Sequence, residues 1–198
     1  MGIPGANDRH SRRGDHGRGD RRDLEVRAVV RLAESLLAEI RSAARPVVLI
    51  DGGSGSGKTT LAPLIAERLG AQLVHLDDFY PGWDGLEGGS RHVHDFVLSS
   101  EPRWQRWDWV ADRPAEWHVL DQSRPLVIEG SGSLSRANRA IATFGIWVEL
   151  DAATRKHRAL ARDGDAYALH WDRWAAQEAA FAAREHPREL ADYVVFDD

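Results

Sequence analysis

The stretch Val47-Val48-Leu49-Ile50-Asp51-Gly52-Gly53-Ser54-Gly55-Ser56-Gly57-Lys58-Thr59-Thr60 decides the fold. Four aliphatic residues in a row read as a strand covered on both faces. The glycines that follow let successive backbone N–H groups converge on an anion where a Cβ would obstruct them. Leu61, Leu64, Ile65 and Leu69 then recur at helical spacing, so the positive end of a helix points at the same anion. Strand, Gly-x-x-x-x-Gly-Lys-Thr and helix in this order make a phosphate cradle for a nucleoside triphosphate. Gly52, Gly53, Ser54, Gly55, Ser56, Gly57, Lys58, Thr59 and Thr60 would line it. Lys58 would reach the β and γ phosphates from a solvent-facing position, and Thr59 offers its hydroxyl to Mg²⁺. Pro63 falls inside the helix and removes one backbone bond there.

Outward from this motif, short apolar runs recur at Leu73–Leu76, Leu126–Ile128, Ile146–Leu150 and Tyr193–Phe196. Five strands alternating with helical or loop segments read as a three-layer α/β domain, a mainly parallel sheet with helices on both faces. Upstream, Leu24, Ala28, Val29, Leu32, Leu36, Leu37 and Ile40 space an amphipathic helix to about Ala44. Residues 79–109 carry no clear period.

Length and composition bound the rest. A chain of 198 residues suits one compact fold, placed over 23–198. Residues 1–22 hold six Arg, three Asp and almost no apolar side chain, the composition of a disordered basic tail. With −5 on the whole chain and +3 on that tail, the remainder carries −8, which argues against a broad nucleic-acid footprint. The absence of Cys excludes disulfides and thiolate chemistry. No apolar run approaches a membrane span or a signal peptide, so a cytoplasmic location is expected.

A phosphate cradle alone does not separate a kinase from a hydrolytic switch. Leu73–Leu76 delivers Asp77 and Asp78 at its carboxyl end, the edge where open parallel sheets bind ligands. A carboxylate there accepts the proton of a hydroxyl nucleophile, holds Mg²⁺ through water, or merely starts a turn. Leu126–Ile128 ends in Glu129, a second acid on the Mg²⁺ side or a solvated strand end. Asp151 reads as the N-cap of a helix that carries Arg155, Arg158 and Arg162 on one face, followed by Asp163-Gly164-Asp165. Such a face is either a solvated surface or an arginine-rich lid over phosphates.

Together these residues resemble the uridine kinase family and its relatives, bacterial pantothenate kinase and phosphoribulokinase. The likeness lies in residues 52–60, Leu76-Asp77-Asp78-Phe79-Tyr80, Val127-Ile128-Glu129-Gly130, the segment 155–163 and Ala191-Asp192-Tyr193-Val194-Val195. It implies a P-loop kinase that uses ATP and Mg²⁺ to phosphorylate a hydroxyl of a nucleoside or similar metabolite. By matching positions it implies Asp77 as base, Lys58 as phosphate ligand, Thr59 and Glu129 on the metal side, and Arg158 and Arg162 in the lid. Tyr80, Asp77 and the Trp107-Asp108-Trp109 element would meet the acceptor. Trp107 stands where the family has Tyr, and Arg113 and His118 are the candidates for the His and Arg that usually follow.

Two rivals stay open. A nucleoside monophosphate kinase would need cations for a second phosphate, and Arg91, Arg103 and Arg106 are available. A nucleotide-dependent switch would hydrolyse ATP slowly and has no use for Asp77 as a base. His75, His92 and His94 read as ordinary loop histidines rather than a metal site, because no acidic partner stands at ligand spacing. Of eight Trp, Trp171 and Trp174 read as core or cleft wall on a helix, whereas Trp107 and Trp109 suit either ring stacking or packing under a lid.

Overall fold

The computed structural model describes residue 34 and residues 36–196; the segment 1–22 and most of the helix expected over 24–44 lie outside the described residues. The described end of that helix is helical over 36–40 and buries Leu36, Leu37 and Ile40.

Strand β1 (Val47–Asp51) is buried at every position, as four consecutive aliphatic residues require. It lies at the centre of a five-stranded sheet with β2 (Gln72–His75), β5 (Leu126–Glu129), β6 (Phe144–Glu149) and β7 (Tyr193–Phe196), ordered β2-β5-β1-β6-β7. Every pairing in it is parallel. The alternation of β1 divides the interior between two faces. Val47 and Leu49 pack with Leu126, Ile128, Trp174 and Phe181, while Val48 and Ile50 pack with Leu36, Ile40, Leu61 and Ile65. This is the layered parallel fold that the apolar runs predict.

Helix α1 (Lys58–Leu69) starts at Gly57, runs through Pro63 and ends on left-handed Gly70. Residues 79–109 resolve into elements that no apolar period announces. A 3₁₀ turn (Leu76–Asp78) leads to α2 (Leu86–His92), a π turn (Val93–Val97) and β3 (Arg103–Asp108). Strand β3 pairs antiparallel with β4 (Arg113–Val119) as a hairpin outside the main sheet. Their sequences, RWQRWD and RPAEWHV, are charged and aromatic, which suits a two-stranded ribbon with partial burial rather than a covered strand.

Outside β6 and β7 the last third is mostly helical. Ser135 caps α3 (Arg136–Ile141) by accepting the N–H of Asn138. Asp151 caps α4 (Ala152–Ala168) by accepting the N–H groups of Ala153 and Thr154, both at 3.0 Å. Gly164 interrupts α4 with φ 69°, ψ −157°, a geometry that suits glycine. Helix α5 (Trp171–Glu185) returns across the sheet and α6 (Pro187–Leu190) leads into β7. Among the described residues no helix is long and apolar enough to cross a membrane.

Candidate active site

Parallel register sets the stage at one edge of the sheet. Ile50 on β1 and His75 on β2 both stand level with Glu129 on β5, so three strands end together and their next residues share one cleft. The cradle rises from β1. Gly52 has φ +152°, and a Cβ there would come 2.5 Å from the carbonyl oxygen of Val148, so only glycine lets the loop leave the strand at this point.

Lys58 is 7 % exposed, not solvent-facing as the sequence predicts. Its Nζ donates to Gly52 O at 2.7 Å and Gly53 O at 3.1 Å. Two of the three ammonium donors thereby pin the charge inside the loop and one remains for an anion. Ser56 is buried, and its Oγ has no partner among the described residues. Thr59 and Thr60 are exposed at the start of α1.

Thr59 Oγ1 donates to Glu129 Oε1 at 3.3 Å, which brings together the two residues expected on the Mg²⁺ side. A hydroxyl and a carboxylate oxygen side by side are hard donors of the kind Mg²⁺ takes, with water and phosphate completing its shell. The buried Glu129 carboxylate also shares a 2.7 Å hydrogen bond with His75 Nδ1, and this bond raises the imidazole pKa above its ordinary value. His75 is therefore engaged at this site. His92 packs on Phe79 and Phe96, and His94 bonds Asp95.

Asp77 sits on the 3₁₀ turn directly after β2. It keeps solvent access, yet the protein around it withdraws enough water to raise its pKa, and the charge of Glu129 adds to the rise. Lys58, Arg162 and His75 pull the other way. One carboxylate thus feels the cradle lysine, the strand-end acid and an α4 arginine together. Arg162 itself is held by Asp163 at 2.7 and 2.8 Å. Arg158 lies one turn earlier on the same helix.

No protein-family model matches the chain, and no curated protein matches it in sequence. Among the solved structures that resemble it along most of its length are two described as kinases. A possible uridine kinase from Bacillus stearothermophilus is 23 % identical over 86 % of this chain and 99 % of its own, with a TM-score of 0.58. A candidate fructose transport system kinase from Silicibacter sp. TM1040 is 22 % identical over 84 % and 98 %, with a TM-score of 0.53. The chain shares the parallel α/β fold of these two structures.

Within this fold the residues expected to meet an acceptor divide. Tyr80 is corrected: its ring is buried against Trp174 and its hydroxyl donates to Ser131 O at 2.7 Å, so it packs the interior. Asp108 is largely used by its own turn, where Oδ1 accepts the N–H groups of Val110 and Ala111. Trp107 is half-buried, with an indole N–H that finds no partner among the described residues. His118 stacks on Trp104, 4.1 Å between centroids.

Sequence reading missed two features of this edge. Asp51, quoted only as a strand end, is a buried carboxylate beside Lys58 that accepts N–H groups from Gly52, Gly132 and Leu134. Its position between an apolar strand and the first glycine was the available signal. Trp83 stood unremarked among eight tryptophans. It stacks on His170 at 4.2 Å and Tyr167 at 5.5 Å and lies 5.1 Å from Trp109, joining the loop after Asp77 to α4 and to the hairpin. Trp109 Nε1 in turn donates to Asp77 O at 3.0 Å.

Proposed function

We propose that this chain is an ATP- and Mg²⁺-dependent small-molecule kinase that phosphorylates a hydroxyl of a nucleoside or similar metabolite. The observation that carries the reading is the placement of Asp77, an acid on the turn directly after β2, at the sheet edge where β1 runs into the cradle and β5 ends in Glu129 beside Thr59. A hydrolytic switch has no need of that group.

In this reading the loop amides within 52–60 that are not already held by Asp51, Glu178 or loop carbonyls, with the remaining Lys58 donor, hold the β and γ phosphates of ATP. Thr59 and Glu129 would hold Mg²⁺, which when bound neutralises charge on the phosphates. Asp77 accepts the proton of the acceptor hydroxyl. The acceptor oxygen forms its bond to the γ phosphorus as the bond to the β–γ bridging oxygen breaks, and ADP leaves. Arg158 and Arg162 compensate the charge on the transferring group from α4, the proposed lid.

An alcohol acceptor is favoured over a monophosphate. Arg106 is bound bidentately by Glu116 at 2.6 and 3.1 Å, and Arg103 lies over Trp117 beside Glu101, so two of the three cations a second phosphate would use are engaged on the hairpin. A cytoplasmic location belongs to the same proposal. The test is ADP release across a panel of nucleosides, sugars, pantothenate-like alcohols and nucleoside monophosphates. Acceptor-dependent release confined to alcohols supports the reading; ATP turnover indifferent to every acceptor overturns it.

A further inference from the structure

Helix α5 lies behind the cradle, and one residue of it reaches the phosphate loop. Glu178 Oε1 accepts the backbone N–H of Ser54 at 2.6 Å and the indole N–H of Trp174 at 3.1 Å, and Ser131 Oγ lies at 2.8 Å. Its Oε2 faces Arg155 Nη1 at 3.2 Å, and the same Nη1 donates to Ser54 O at 3.2 Å. The Glu178 side chain is 11 % exposed and that of Arg155 18 %. An ion pair withdrawn this far from water is costly unless most of its bonding capacity is met, and here four donors meet one carboxylate.

The glycines of the loop fit the same arrangement. A Cβ on Gly53 would fall within the Arg155 guanidinium, and one on Gly55 would strike the Arg155 carbonyl oxygen. The first turn of α4 is therefore laid directly on the phosphate loop, and Tyr167 from its far end adds a hydroxyl bond to Ser54 Oγ at 2.8 Å. Arg155 is an α4 arginine set directly on the cradle.

We infer that Glu178 is a positioning residue of the nucleotide site, holding the Ser54 amide and the Arg155 guanidinium in one arrangement so that the outer limb of the phosphate loop and α4 are set together. This rests on the kinase reading. A side chain that only filled space on α5 would act on stability; one that sets Arg155 acts on nucleotide affinity and does so through Arg155.

The experiment is a double-mutant cycle of Glu178→Gln and Arg155→Ala, reading affinity for a non-hydrolysable ATP analogue with Mg²⁺ by calorimetry, with melting temperatures alongside. Glu178→Gln keeps an acceptor for Ser54 and removes the charge facing Arg155. Each single variant is expected to weaken the analogue about tenfold, and the double variant no more than either one, the mark of coupled neighbours. Losses that multiply, or a lowered melting temperature with unchanged affinity, overturn the inference. If Glu178→Gln does not fold, Arg155→Ala alone decides, since unchanged affinity there also overturns it. Lys58→Ala separates the two levels. If it loses the analogue while Glu178→Gln keeps it, only this inference falls; if the parent protein binds no analogue, the kinase reading falls and takes the inference with it.

Discussion

Asp51 Oδ2 accepts the backbone N–H of Leu134 at 2.8 Å, so the carboxylate that ends β1 ties the start of the nucleotide loop to the loop after β5. Gly132 bonds both oxygens of the same carboxylate, and Ser133 Oγ donates to Ile50 O at 3.0 Å. Burial raises the Asp51 pKa from 3.8 to about 6 against the lowering by the Leu134 N–H, Lys58 and the other amides.

The sign of the resulting pH dependence follows from linkage. Between pH 3.8 and about 6 folded Asp51 holds a proton that the unfolded chain has released, so its contribution to stability is fully present below 3.8 and is lost as pH rises to about 6. The rise in pKa corresponds to about 3 kcal/mol at most. The stability of the parent protein relative to Asp51→Asn should therefore decline from pH 4 to pH 6 and stay level above 7, measured by denaturant unfolding. A difference that grows with pH contradicts the buried-carboxylate account.

Asp77→Asn keeps the shape of the turn and removes the proposed base. Affinity for a non-hydrolysable ATP analogue should be retained while acceptor-dependent ADP release falls by about 10²–10⁴. Asp78→Asn, on the neighbouring exposed residue, should cost far less. Because the Asp77 pKa is raised, the acid limb of the parent kcat/KM profile should lie above the ordinary carboxylate value and vanish in Asp77→Asn. Equal losses in the two variants would remove Asp77 from the mechanism.

Lys58→Ala should abolish phosphoryl transfer and analogue binding. The charge is held inside the loop by Gly52 O and Gly53 O, so its loss removes one donor from each, while Ser131 Oγ and the Ser56 N–H still serve them. A fall in stability of about 0.5–1.5 kcal/mol should accompany the loss of turnover. Near-parent turnover would sink the cradle assignment.

The residues legible in sequence are those whose chemistry is local. An aliphatic run, a glycine spacing and a strand-end acid each declare themselves within a few positions, and the structure assembles Lys58, Thr59, Glu129 and Asp77 at one edge of the sheet. What stayed hidden depends on contacts across long separations. Glu178 lies 124 residues from Ser54, in an alanine-rich helix where a single Glu reads as a solvated position. The hairpin at 103–119 hid because its strands are polar and aromatic, a pattern shared with loops. Tyr80 misled for the opposite reason, since a motif match cannot tell a side chain that faces the cleft from one turned into the core.

Trp109→Phe tests the hairpin's hold on the turn that carries Asp77. The indole N–H is lost to Asp77 O, while the ring, 40 % exposed, still reaches Trp83. The lost hydrogen bond, worth about 0.5–1.5 kcal/mol net, predicts a melting temperature lower by about 1–6 °C together with a fall in turnover. Unchanged turnover would mean that the turn holds Asp77 without the hairpin.

Gly53→Ala and Gly55→Ala form a contrasted pair. At Gly53 the new methyl group meets the far end of Arg155, a flexible side chain that can swing aside at the cost of its bonds to Ser54 O and Glu178. At Gly55 it meets the Arg155 backbone, and φ is +82°, a conformation that alanine adopts only with strain. Gly53→Ala should therefore fold with a loss of about 1 kcal/mol and reproduce the nucleotide-affinity defect of Arg155→Ala. Gly55→Ala must lift the first turn of α4 off the loop or distort the loop itself, with a loss of about 2 kcal/mol or more. Unfolding curves of the two variants beside calorimetry with the ATP analogue make the comparison. If Gly55→Ala is as mild as Gly53→Ala in both measurements, α4 is not seated on the phosphate loop in solution as it is in this structure.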